Sequence, residues 1–305
     1  MVMDEQISQL HMRAVRRIWL ISDLQQCIPA QAEAHIRTAV QDFLSLEVPV
    51  DLIAYLGDAT EGDDEGRIRI MARTQRDVIG QMGAPVYYVL GNHDFDFYRN
   101  HRAALSGLRL PFREEMEGIW HFPVKTEEIA GFVELDPLML CFFSDHAARD
   151  GAWLTTHGVV HGDTSAYPYT QEDYRALSSR IGQCAKPVIT LSHYAFPGGN
   201  RPSDLLSKML PLPGNVRLHI YGHAHIGDRQ WAGKDAFRKI ACVDDQAIVQ
   251  VDVASLEKGR GNAVRSVLLE YYPDRTIGLF FRNHTLRTWD HMLMLRDEST
   301  EETMK

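Results

Sequence analysis

Only four of the 305 residues are cysteine, Cys27, Cys141, Cys184 and Cys242, and no two form a Cys-x-x-Cys pair. That excludes a zinc ribbon or a dense disulfide framework as the means of holding the chain together, and the four are read as reduced thiols. No apolar run reaches membrane-spanning length. Residues 1–17 mix Asp4, Glu5, Arg13, Arg16 and Arg17 with isolated apolar residues where a signal peptide would have a continuous apolar core. A cytoplasmic protein without membrane partners is expected. Positive charge is also short: 32 Lys and Arg against 41 Asp and Glu leave a formal charge of −9, which argues against a broad nucleic-acid surface. Internal repeats, low-complexity tracts and a Pro/Ser-rich linker are missing too. A single domain at 18–290 is therefore expected, with an N-terminal extension at 1–17 and a frayed C-terminal tail at 291–305.

What the chain does have is apolar material, 45% of its residues, enough for a substantial core. Short apolar runs that stop at polar or glycine residues recur at 18–21, 50–56, 86–90, 138–143, 188–191 and 218–221, and read as buried strands. Between the first two, Ile36, Ala39, Val40, Phe43 and Leu44 have helical spacing; between the next two, Ile68, Met71, Gln75, Val78, Ile79 and Met82 repeat it. Strand and helix alternate, which is the mark of an α/β fold. Segments 107–131 and 149–169 lose the periodicity and read as loop or insertion. Further strands are expected at 247–253, 264–272 and 276–282, with a hairpin turn at Pro273 and Asp274, so the C-terminal third is mainly β.

Metal-binding side chains fall at the ends of these strands. Asp23 ends the first, Asp58 the second, and Asn92 and His93 the third; His193 ends another, and His223 and His225 a further one. The carboxyl ends of strands in an open α/β sheet border the crevice where ligands bind, so five strand ends can converge on one site. Singly, a Gly-Asp pair is a turn and a His after a strand is a loop residue. The ordered set is more specific. Asp-x-Gln, Gly-Asp, Gly-Asn-His-Asp, a single His and Gly-His-x-His, each after an apolar strand, resemble the motif series of the calcineurin-like metallophosphoesterases over residues 18–226.

That resemblance implies a four-layer α/β/β/α sandwich and hydrolysis of a phosphodiester, diphosphate or monoester by attack of metal-bound hydroxide. The implied partner is a small phosphorylated substrate. Carboxylate, imidazole and amide oxygen suit two divalent ions, Mn²⁺ first, with iron or Zn²⁺ as alternatives, and a pair about 3.5–4 Å apart polarises phosphoryl oxygens and activates water. By the family pattern Asp58 bridges the ions, Asp23 and His225 hold one, and Asn92, His193 and His223 hold the other. His93 is implied as the general acid, with Asp94 either accepting its other ring proton or capping the helix that follows. Two competing readings are a nuclease of the same fold and a non-catalytic scaffold that has lost full metal binding.

The first motif departs from the family's Asp-x-His: Gln25 stands where the second imidazole would be. Its amide is a harder, neutral donor, able to bind metal weakly, favouring Mn²⁺ over Zn²⁺, or to contact substrate. Glu61, Asp63, Asp64 and Glu65 read as acids favouring a helix N-terminus. His146 is a minor candidate for substrate contact, and Arg99, His101 and Arg102 for an outer phosphate, whereas Cys27 and the pair His157 and His161 are read as incidental.

Overall fold

The structure, a computed structural model, describes residues 2–97, 110–125, 128–144, 154–155, 158–159, 170–195, 212–225, 238–243, 246–261 and 263–296. Helix α1 (Val2–His11) leads into β1 (Arg16–Ile21), followed by α2 (Pro29–Leu44), β2 (Leu52–Tyr55), α3 (Glu65–Ile79) and β3 (Val86–Tyr88). After the short α4 (Pro111–Met116) come β4 (Ala130–Leu135), β5 (Leu138–Phe143), the two-residue strands β6 (Leu154–Thr155) and β7 (Gly158–Val159), and α5 (Gln171–Gly182). The remainder is nearly all strand: β8 (Val188–Ser192), β9 (Val216–Tyr221), β10 (Arg238–Val243), β11 (Gln246–Asp252), β12 (Arg265–Tyr271), β13 (Ile277–Asn283) and β14 (Thr288–Leu295).

Two six-stranded sheets result, ordered β14-β13-β12-β1-β2-β3 and β10-β11-β9-β8-β5-β4. In the first, β1, β2 and β3 are mutually parallel. In the second, β5, β8, β9 and β11 are parallel. Parallel strands buried on both faces need apolar residues on both, which is why these segments read as continuous apolar runs. Along β1, Ile18 and Leu20 join Leu140, Phe142, Ile189 and Leu191 of the second sheet in one apolar layer. Trp19 and Ile21 point the other way, onto Ile36 and Val40 of α2 and Met71 of α3. On the far side of the second sheet, Cys141, Phe143 and Val188 pack with Tyr174 and Ile181 of α5. The order is helix, sheet, sheet, helix, and the C-terminal third is strand-rich.

Both ends of the chain differ from the sequence expectation. Residues 2–11 are helical, with Ile7 in the core, and β1 begins at Arg16 rather than at 18. Residues 291–295, assigned above to a tail, are the second half of β14, paired with β13 from Leu295 opposite Ile277 to Thr288 opposite Asn283. Alternation explains it: Met292 and Met294 pack on the helix-side core, Leu293 and Leu295 on the layer between the sheets. Residues 297–305 lie outside the described residues. Among the described residues, no helix is long and apolar enough to cross a membrane.

A buried polar cluster fastens α2 to the first sheet. The Arg282 guanidinium donates to both oxygens of Asp42 (2.8 and 2.9 Å), and His284 Nδ1 lies 2.8 Å from Asp42 Oδ2. On its other side His284 Nε2 is 2.7 Å from Ser266 Oγ, which accepts a hydrogen bond from the Trp19 indole at 2.7 Å. Acid, imidazole and hydroxyl in series resemble nucleophile machinery. Here Ser266 is 1% exposed and already holds Trp19, so the series works as a fastener. Burial pushes the Asp42 carboxyl up, but Arg282 and His284 more than offset it and hold the group at about 2.

Candidate metal centre

The expected site residues come together where parallel strands of both sheets end. The strand ends are stitched by backbone: Asp23 N–H donates to the Gly57 carbonyl (3.0 Å) and Gln25 N–H to the Asp58 carbonyl (2.9 Å). His223 N–H reaches across to the Asp23 carboxylate at 2.8 Å. Five of these residues hold a positive φ: Asp23 at 54°, Gln25 at 38°, Asp58 at 53°, His223 at 67° and His225 at 46°. Such backbone costs about 1–3 kcal/mol per residue and persists where the surroundings enforce it, typically at functional sites. Gly57, at φ 90°, allows the approach: a Cβ there would fall 2.6 Å from Gly91 N and 2.7 Å from His193 Nδ1.

Asp58, His193 and His223 form a group whose ligand atoms lie within 4.8 Å of one another. His193 Nδ1 lies 2.7 Å from the Leu56 carbonyl, the partner for its ring proton, which leaves Nε2 facing Asp58 Oδ2 at 3.2 Å and Asn92 Oδ1 at 3.1 Å. The Tyr194 hydroxyl donates to the same Asn92 oxygen at 3.1 Å. Across the site, His225 Nε2 faces Asp23 Oδ1 at 3.2 Å.

These contacts test whether the residues fit a divalent ion. Asp23 and Asp58 are fully buried, yet Asp23 Oδ1 and Asp58 Oδ2 accept no hydrogen bond from the described residues. Both amide atoms of Gln25, 1% exposed, are likewise without a hydrogen bond. Buried oxygens left this way are costly unless a cation serves them. Two donors on one ion at about 2.1 Å sit roughly 3 Å apart when adjacent, close to the carboxylate–imidazole spacings found here. The field agrees. Burial would lower the His193 pKa, but the Asp58 carboxylate, with help from Asp23 and the Leu56 carbonyl, raises it to about 10. Burial pushes Asp58 up, and His193 and His93 pull it well below the usual carboxylate range. Positive charge is favoured at this point, and the residues fit a metal centre.

His93, at the start of a short 3-10 turn, lies beside this cluster with its N–H on Asp58 Oδ1 at 2.8 Å. Its ring partner is not Asp94. His93 Nδ1 lies 2.9 Å from Asp96 Oδ2, which also accepts the Gly62 N–H at 3.2 Å. Burial lowers the His93 pKa, and Asp96 and Asp58 outweigh it, so the net shift is upward. Asp94 is instead turned inward, where its Oδ2 accepts from Gly91 N (2.7 Å), Asp58 N (3.2 Å) and the Tyr88 hydroxyl (2.7 Å). It therefore braces the Gly57–Asp58 turn from beneath, away from the His93 ring. Burial and the Asp58 charge push its carboxyl up to about 7.

Asp64 caps α3, accepting the Arg67 N–H at 2.9 Å, so the acidic run marks a helix start as expected. Arg99, His101, Arg102, His146, His157 and His161 lie outside the described residues. Among the side chains at the site that the sequence reading did not single out are Asp96, Tyr194 and Glu257. Asp96 sits three residues after His93 and could have been found by helical spacing, whereas Glu257 belongs to no motif and comes close only through the fold.

The sequence profile of the calcineurin-like phosphoesterases matches residues 16–227 of this chain. No curated protein sequence gives a significant match. Among solved structures, a dimetal phosphatase from Danio rerio aligns over 93% of this chain and 99% of its own, with 14% identity and a TM-score of 0.58. A purple acid phosphatase from seeds of yellow lupin, Lupinus luteus, aligns over 97% of this chain and 56% of its own, with 14% identity and a TM-score of 0.54. At such identity both likenesses establish the fold.

Proposed function

The chain belongs to the calcineurin-like phosphoesterases, and from that premise we propose that it hydrolyses phosphate esters at a centre of two divalent ions, with Mn²⁺ favoured. The observation that carries the reading is the pair of buried carboxylate oxygens, Asp23 Oδ1 and Asp58 Oδ2, each faced by an imidazole Nε2 at 3.2 Å. Asp58 would serve both ions; Asp23, His225 and Gln25 would hold one, and Asn92, His193 and His223 the other. When bound, the two ions polarise the phosphoryl oxygens and activate water near neutral pH.

The chain's own residues do the rest. His93, with 23% of its side chain exposed, stands at the open side of the cluster with Asp96 behind it. It donates a proton to the leaving oxygen, and Asp96 stabilises the imidazolium that supplies it. The hard amide donors Gln25 and Asn92 favour Mn²⁺ over Zn²⁺. Turnover of a panel of phosphate monoesters, diesters and nucleoside diphosphates, with Mn²⁺ and with chelator, tests the proposal. Chelator-sensitive hydrolysis of at least one class is expected; hydrolysis of none at full Mn²⁺ occupancy would defeat it.

A further inference from the structure

The residues after β11 are laced to the first motif although they lie beyond the stretch matched by the family profile. Leu256 N–H donates to the Ser22 carbonyl (3.0 Å), and Glu257 N–H to the Asp23 carbonyl (3.0 Å). The Ser255 hydroxyl donates to that same Asp23 carbonyl at 3.1 Å. These bonds fix the Glu257 backbone against Asp23 and carry its carboxylate to the site. There Glu257 Oε2 lies 3.3 Å from His225 Nδ1, and Oε1 accepts from the buried Gln26 amide at 3.4 Å. His225 turns its other nitrogen, Nε2, to Asp23 Oδ1 at 3.2 Å. The two ring nitrogens of an imidazole point away from each other. A carboxylate on Nδ1 therefore sits outside the ring of ligands and acts through the histidine.

We propose that Glu257, held by Gln26, is a positioning residue for the ion served by Asp23 and His225. At 3.3 Å from Nδ1 its carboxylate favours the tautomer that carries the proton on Nδ1 and turns the Nε2 lone pair to Asp23, and the nearby negative charge makes that nitrogen a stronger donor. Gln25, a weak neutral donor, stands where an imidazole is usual, and Glu257 compensates by strengthening the imidazole that remains. The inference rests on the two-ion reading above.

The test is Mn²⁺ titration by calorimetry of the full chain, comparing wild type with Glu257→Gln, which keeps the shape and removes the charge. Two sites are expected in the wild type. In the variant one site should weaken by about 10–100-fold while the other keeps its affinity and the metal-free protein keeps its thermal midpoint. A purely architectural role would lower the midpoint or weaken both sites together. Gln26→Leu, which frees Glu257 Oε1, should weaken the same site to a smaller extent and serves if Glu257→Gln does not fold. Wild-type affinity at both sites in either folded variant overturns the proposal, as does equal weakening of both. A wild type without two sites overturns it along with the two-ion reading. A wild type that binds two ions but hydrolyses no ester defeats the function alone, and the Glu257 result still stands.

Discussion

His93 Nδ1 lies 2.9 Å from Oδ2 of Asp96, one helical turn further along the chain, and the same oxygen holds the Gly62 N–H at 3.2 Å. On the proposed mechanism that contact leaves Nε2 for substrate and supplies a counter-charge to the protonated ring. Asp96→Asn removes the charge and should lower kcat on alkyl phosphates by about 10²-fold, with little change on activated aryl phosphates that leave without a proton. His93→Ala should cost about 10²–10⁴-fold on the same alkyl esters. Because Asp96 acts through His93, the double variant should be no worse than His93→Ala. Steady-state kinetics over leaving groups of graded pKa check this; multiplicative losses would separate the two residues.

Gln25 is 1% exposed, at φ 38°, with neither amide atom hydrogen-bonded to the described residues. On the proposed assignment this neutral amide is a weak ligand, and the ion it would share with Asp23 and His225 should be the first lost on dialysis. Gln25→His should retain that ion and shift preference toward Zn²⁺ or Fe²⁺, read by metal analysis after dialysis. Unchanged retention together with altered selectivity among esters would assign Gln25 to substrate instead.

Asp42, Arg282 and His284 make a prediction about stability alone. Asp42→Asn leaves the Arg282 charge buried without its counter-ion and should destabilise by about 3–5 kcal/mol, seen in urea denaturation. The pH dependence follows from the folded pKa of about 2, below the unfolded value of about 3.9. A depressed carboxyl contributes stability that is fully present above the unfolded pKa and is lost as pH falls through the folded one. Wild type should therefore lose this contribution between about pH 4 and pH 2, and Asp42→Asn should lack that part of the acid sensitivity. A variant as stable as wild type at neutral pH would contradict the fastening role.

Much of this was legible in residue order because both central strand sets are buried on two faces. The run at 138–143 coincides with β5, and Ile36, Val40 and Phe43 mark the buried side of α2. The polar residues that follow the runs at 50–56, 188–191 and 218–221 are ones the fold brings together, at Asp58, His193 and His223. Less visible was whatever depends on distant partners. The pairing of β1 with β12 joins Arg16 to Tyr271 and leaves no local pattern. The polar α5 is not among the expected helices; its local mark is the capping box of Thr170 and Asp173. β14 looks like a charged tail until its alternation is set against two different cores. Sequence adjacency suggests a contact between Asp94 and the His93 ring, whereas the 3-10 turn sends the two side chains apart.

Whether Asp58 serves two ions is read from the Mn²⁺ stoichiometry of wild type and Asp58→Asn, by metal analysis after reconstitution and gel filtration. An amide in place of that buried carboxylate cannot neutralise two cations as the charge does. Two ions per chain are expected in the wild type, and one or fewer, with turnover abolished, in Asp58→Asn. Two ions and near-normal turnover in Asp58→Asn would contradict the bridging role.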